Sequence, residues 1–147
     1  PMALSNYKWH TDRGVIISQI SGHRMIATGP GSLDAVINEL EQELGDTIPR
    51  VVVEAQKRFV RAGFYSIDEA RSEESLREAL ALRGMGNLRE IDWRDNGLGF
   101  RLENPCLVPV LVGLVQGIFE MVTRRDSKVD WEINGEGDLL VEVAATV

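Results

Sequence analysis

The sequence predicts an α/β domain of the α+β kind, an antiparallel sheet with packed helices in the order ββ-ααα-ββ-α-ββ. Three observations predict it. Apolar side chains recur at helical spacing between residues 33 and 62, they alternate along two pairs of short runs after residue 87, and one long apolar segment, ENPCLVPVLVGLVQGIFEMV (103–122), separates those pairs. A chain of 147 residues suits one domain, so residues 1–147 are read as a single unit.

The stretch up to His10 is read as a loose N-terminus. Residues 15–28 (VIISQI, SG, HRMIAT) read as two short strands about a Ser21-Gly22 turn. In SLDAVINELEQELG, Leu33, Val36, Ile37, Leu40 and Leu44 form one apolar stripe, Ser32 can cap the start and Gly45 suits the end. A second helix after Asp46 places Ile48, Val52, Ala55, Phe59 and Ala62 on one face and stops at Gly63. A third covers about residues 73–83. The period then changes to two. LREIDWR alternates Ile91 and Trp93, DNG supplies turn residues, and LGFRL alternates Leu98, Phe100 and Leu102, which together read as a hairpin. A second hairpin alternates Val129, Trp131 and Ile133, turns through NGEGD, and alternates Leu139, Val141 and Val143. Between the hairpins, the uncharged run from Pro105 to Val115 is broken by Gln116 and Glu120, whereas a membrane span needs roughly 20 apolar residues. A buried core helix is expected instead, from Pro109 to about Thr123.

Hydrophobic residues make up 44% and charged residues 27% of the chain, which predicts a packed globule. With 23 acidic against 16 basic residues the formal charge is -7, which repels phosphate backbones and anionic lipid, so neither direct nucleic-acid binding nor a membrane association is expected. One cysteine forms no internal disulfide and no secretory pattern opens the chain, so a cytoplasmic protein is expected.

The catalytic inventory is thin. His10 and His23 have no cysteine or carboxylate at ligand spacing, Cys106 has no neighbouring base, and no nucleophile triad or nucleotide fingerprint is present. GPGS (29–32) could hold an anion on its backbone N–H groups, but a strand-to-helix turn with a serine cap is the simpler reading. The carboxylates Glu39, Glu41, Glu43 and Asp46, like Asp68, Glu69, Glu73 and Glu74, read as solvated helix faces. No catalytic and no metal-binding residue is assigned, and no cofactor.

Gly113 and Gly117 share a face of the long helix, where each costs about 1 kcal/mol in propensity relative to Ala. Either close packing against the sheet or another helix offsets that cost, or the two glycines line a cavity walled by Trp93, Phe100 and Trp131.

The pieces HRMIATGPGSLDAVINELEQELG, RAGF, LRGMGNLREIDW, RLENP, VGLVQGIFE and NGEGDLLVEV, in this order, resemble the 4-vinyl reductase domain family. The resemblance covers most of the chain. It implies a domain that commonly forms homodimers and holds a small apolar or aromatic ligand between helices and sheet. Relatives that hold zinc do so with cysteines before the long helix and around the Gly-Asp step; here Ile133 and Val141 flank Gly137-Asp138, and Cys106 alone cannot hold the metal. The related haem-based sensors use an axial His with a Tyr-x-Ser-x-Arg signature, which Tyr65, Ser66 and Arg71 do not match.

The expected function is therefore a non-catalytic binding or sensor domain for a small hydrophobic molecule, without zinc or other cofactor. Phe59, Phe64, Trp93, Phe100, Gly113, Gly117 and Trp131 are the candidate ligand-binding residues. The alternatives are a dimerising scaffold without ligand and an accessory or enzymatic part in tetrapyrrole vinyl reduction.

Overall fold

The computed structural model describes residues 5–64 and 72–146, with Phe64 described by its backbone alone. It divides into two compact units, one up to Pro30 and one from Gly31 onward. The first is a three-stranded antiparallel sheet of β1 (Tyr7–His10), β2 (Val15–Ser18) and β3 (Arg24–Met25). The strand β1 corrects the reading of a loose N-terminus, because Tyr7 to His10 pair with Ser18 to Val15 and His10 sits in the ladder. The signal for it was the TDRG step, a four-residue loop closed by the Arg13 N–H on the His10 carbonyl (3.0 Å) with Gly14 at φ 64°.

The second unit holds α1 (Gly31–Leu44), α2 (Ile48–Phe59) continued by a π-helical turn over Val60–Phe64, α3 (Glu73–Leu82), β4 (Asn87–Arg94), β5 (Gly97–Glu103), α4 (Val108–Thr123), β6 (Ser127–Ile133) and β7 (Leu139–Ala145). The mixed α+β class with antiparallel sheets is as the sequence predicts. The four-stranded sheet runs β4-β5-β7-β6, so each hairpin gives one central and one edge strand. Both turns use the residues expected of them. Two residues link Arg94 to Gly97, and the Asn134 side chain accepts the N–H groups of Glu136 and Asp138 while Gly137 takes φ 86°.

Alternation sets what the sheet buries. Ile91, Phe100, Val141 and Trp131 stand in one cross-strand row, and Trp93, Leu98, Val143 and Val129 in the next. These rows face α4, which packs on the sheet with one side and on α2 with another. Residues Leu111 to Glu120 of α4 are all buried, so the apolar segment is a core helix, and no helix among the described residues is long and apolar enough to cross a membrane.

The glycine pair explains how α4 meets α2. A Cβ on Gly113 would lie 2.6 Å from Cβ of Gln56 and press on the Val53 carbonyl, and one on Gly117 would lie 2.7 Å from Cβ of Val60. Both glycines are thus seats for α2 at van der Waals distance, and the reading in which they line a cavity is corrected. Gly117→Leu should overpack this contact and cost about 1–3 kcal/mol in chemical denaturation. Unchanged or higher stability would mean that α2 does not sit there.

Two helix faces differ from the periodicity. On α2 the buried residues are Val53 and, in the following turn, Val60, rather than the stripe through Ala55, Phe59 and Ala62, because the glycine groove of α4 receives the Val53–Val60 ridge. On α1 no residue is buried, and Leu33, Val36, Leu40 and Leu44 are exposed.

Candidate apolar ligand site

Apolar side chains from three directions converge on one space beside α4. The α3 helix supplies Leu76 and Leu80, the sheet supplies Ile91, Leu98 and Phe100, and α4 supplies Leu114, Val115 and Ile118. The inward alternation of β4 and β5 and the i, i+4 spacing along α3 and α4 aim these residues together. Among the described residues, none that lines it carries a polar side-chain atom. The free space is small, about 10 Å³ for the centre of a water-sized molecule, against the 10–15 Å³ or so that one water requires. The site is a narrow apolar cleft.

Its walls are held unequally. Along α4, Glu120 is wholly buried and accepts hydrogen bonds from the Ser127 N–H (3.0 Å) and Ser127 Oγ (2.8 Å). Its carboxylate also faces Arg61 Nη1 at 2.9 Å and Lys57 Nζ at 3.5 Å. Gln116 Nε2 donates to the Ser127 carbonyl and hydroxyl, both at 3.2 Å. These bonds weld α4 to β6 and to the α2 end. Lys57 also bonds Glu54 (3.0 Å), and this bond, with Arg58 and against partial burial, holds the Glu54 carboxyl below its ordinary range. By contrast α3 rests on Leu76, Ala79 and Leu80, with Arg77 Nε donating to the Leu88 carbonyl at 2.8 Å as a side-chain tie to the sheet. Among the described residues α3 therefore shows fewer polar ties to the sheet than α4 does.

Of the residues singled out in the sequence, Phe100 lines this cleft. Trp93 lies beside it, half-exposed, with its ring stacked on that of buried Phe119 at 6.2 Å between centroids. Trp131 sits under the Arg50 guanidinium, 4.9 Å from its centroid, a cation–π contact that occupies the ring. Phe59 is 47% exposed on α2, Gly113 and Gly117 are covered by α2, and the Phe64 side chain lies outside the described residues. Leu76, Leu80, Leu114, Val115 and Ile118 were not singled out. Their signal was present in the apolar spacing of the third helix and of the long helix, but identical spacing is produced by ordinary core.

Two other concavities are polar. One, about 420 Å³, lies on the outer sheet face, where Arg94 pairs with Asp92 and Glu142, and Arg101 with Glu136 and Asp138. The other, about 320 Å³, runs between α2 and β6 past Arg50, Lys57 and Lys128. Both are open; the first is lined mainly by carboxylates, Glu90, Asp92, Asp130, Glu132 and Glu142, whereas in the second Arg50 pairs with Asp130 and Lys57 with Glu54. Among the described residues no group of three or more His, Cys, Asp or Glu is placed to hold a metal ion.

No protein family defined from sequence matches the chain, and no curated protein matches it. Solved structures share its fold. The phenol-responsive sensory domain of the transcription activator PoxR, solved with phenol, is 11% identical and superposes with a TM-score of 0.68 over 98% of this chain and 87% of that one. A vinyl-4-reductase family protein from Methanocaldococcus jannaschii is 17% identical, with a TM-score of 0.56 and 87% of each chain covered. An Fe(II) H-NOX protein from K. algicida is 11% identical, with a TM-score of 0.56 over 99% of this chain and 85% of that one.

Proposed function

We propose that the second unit is a non-catalytic binding and sensing domain for a small hydrophobic molecule, taken up in the cleft between α3, α4 and the β4–β5 hairpin. The observation that carries this reading is the convergence of eight apolar side chains from three directions on one space. The fold shared with the phenol-responsive sensory domain supports it. Because the cleft has no room for a ring as it stands, uptake requires a wall to move. Of the two helical walls, α3 has the fewer ties to the sheet among the described residues, so occupancy and α3 position are coupled, which is the requirement for turning binding into a signal. Phe100 is the aromatic contact, and Trp93, stacked on Phe119 beside the cleft, is the reporter.

The test is a thermal-unfolding and tryptophan-fluorescence titration with toluene, indane and naphthalene. Saturable stabilisation, rising with ligand as a single-site isotherm and accompanied by faster amide exchange in α3, is expected. An unchanged melting temperature with every probe up to its solubility limit defeats the reading.

One observation favours the scaffold alternative, in which a homodimer is the function. The α1 helix leaves Leu33, Val36, Leu40 and Leu44 exposed, a stripe that a helix normally buries. A concentration-dependent dimer in sedimentation, lost in Leu40→Glu, together with silent ligand titrations, would select that alternative over the sensor.

A further inference from the structure

We infer that the open half of the β6 edge docks an extended segment of a partner protein, one whose residues alternate between apolar and basic, as an added antiparallel strand. This surface is separate from the cleft and does not depend on ligand uptake. Backbone valences carry the first step. β6 is an edge strand, paired with β7 alone. The Asn134 N–H donates to the Asp138 carbonyl and the Thr146 N–H to the Asp126 carbonyl, both at 2.9 Å, which fixes the phase of the ladder. Lys128, Asp130 and Glu132 therefore turn their amides and carbonyls toward β7, and the residues between them turn theirs away from the sheet. The start of this outer edge is closed by the molecule's own side chains. The Ser127 N–H donates to Glu120, the Ser127 carbonyl accepts from Gln116, and the Val129 carbonyl accepts from Arg50 Nη1 at 3.2 Å. At Trp131 and Ile133 no such bond is made among the described residues. Two N–H groups and two carbonyls are thus left in the row that an added strand requires.

The side chains flanking this stretch define the occupant. On the outer face of the sheet Asp130 and Glu132 are exposed, and Glu132 has no cationic partner among the described residues. On the other face stand Trp131 and Ile133, the latter 50% exposed. Successive residues of an added strand point to opposite faces, so every second one meets carboxylates and those between meet apolar surface. A second copy of the chain does not fit this description. Pairing β6 antiparallel with itself through these groups sets Glu132 opposite Glu132, or Asp130 opposite Glu132, and like charges directly opposite one another destabilise a sheet. A basic strand converts the same carboxylates into favourable cross-strand pairs.

The experiment titrates the full chain with the capped peptide Thr-Val-Arg-Val-Lys-Thr, by isothermal calorimetry and by amide exchange read by NMR. Saturable binding is expected, with the Trp131 and Ile133 amides exchanging freely in the free protein and protected in the complex. Methylating both valine nitrogens removes two donors to the edge and is expected to weaken binding at least about tenfold. Glu132→Lys is expected to weaken it by about the same factor and to favour the charge-reversed peptide Thr-Val-Glu-Val-Glu-Thr instead. Ile133→Pro removes one outward N–H without touching the β7 ladder, so the chain should fold and lose most of its affinity for the peptide. No saturable binding overturns the inference. Equal binding by the N-methylated peptide also overturns it, because charge alone then holds the peptide. So does a dimer of the free chain that Ile133→Pro dissolves, since that gives the edge to a second copy.

Discussion

Removing both cations that face Glu120, in a Lys57→Met/Arg61→Met double variant, is expected to cost about 3–5 kcal/mol of unfolding free energy. The carboxylate is fully buried, and its remaining partners would be the Ser127 N–H and hydroxyl. Buried as it is, the carboxylate gains no water in exchange for the lost cations, so the loss of its counter-ions falls on the folded state. The converse change should be milder. Glu120→Gln keeps an acceptor for Ser127 and strands two cations, but the Arg61 side chain is 48% exposed and can rehydrate, whereas Lys57 retains Glu54. A cost of about 1–3 kcal/mol is expected for it. Urea unfolding of both variants tests the order. If Glu120→Gln is the more damaging, water reaches Glu120 and the network is not what welds α4 in place.

Leu114→Ala is expected to lose about 2–5 kcal/mol, because Leu114 is 2% exposed and its removal leaves a void in the wall of the cleft. The same change should enlarge the ligand space. Toluene is therefore expected to bind the variant more tightly than the wild type and to restore part of the lost stability, since less displacement of α3 is needed. Denaturation with and without saturating toluene measures both effects. A loss of stability with no toluene response would place Leu114 in solid core, away from any ligand path. The contrast with Gly117→Leu is informative, because that variant acts on the α2 side of the same helix and should weaken the fold without favouring ligand.

The sequence by itself determined the elements whose signal is local. Alternation at Leu98, Phe100 and Leu102 and again at Leu139, Val141 and Val143, each next to turn residues, specified strands with one buried face, and the sheet follows that pattern. The unbroken apolar run before Gln116 likewise specified a buried helix, which α4 is. Only the tertiary structure decided what each face meets. Five apolar residues at helical spacing describe α1 as well as any core helix, yet none of them is buried, because periodicity records amphipathic character and not the presence of a partner. On α2 the buried ridge is chosen by the glycine groove between Gly113 and Gly117, remote in sequence, and not by the strongest local stripe. The same remoteness hides Glu120, which reads as an interruption of an apolar segment until Lys57 and Arg61 are brought against it. The apolar cleft was invisible for a related reason: Leu76, Phe100 and Leu114 each carry a pattern that packing alone would produce, and whether they close on one another or leave room is decided by how three elements meet.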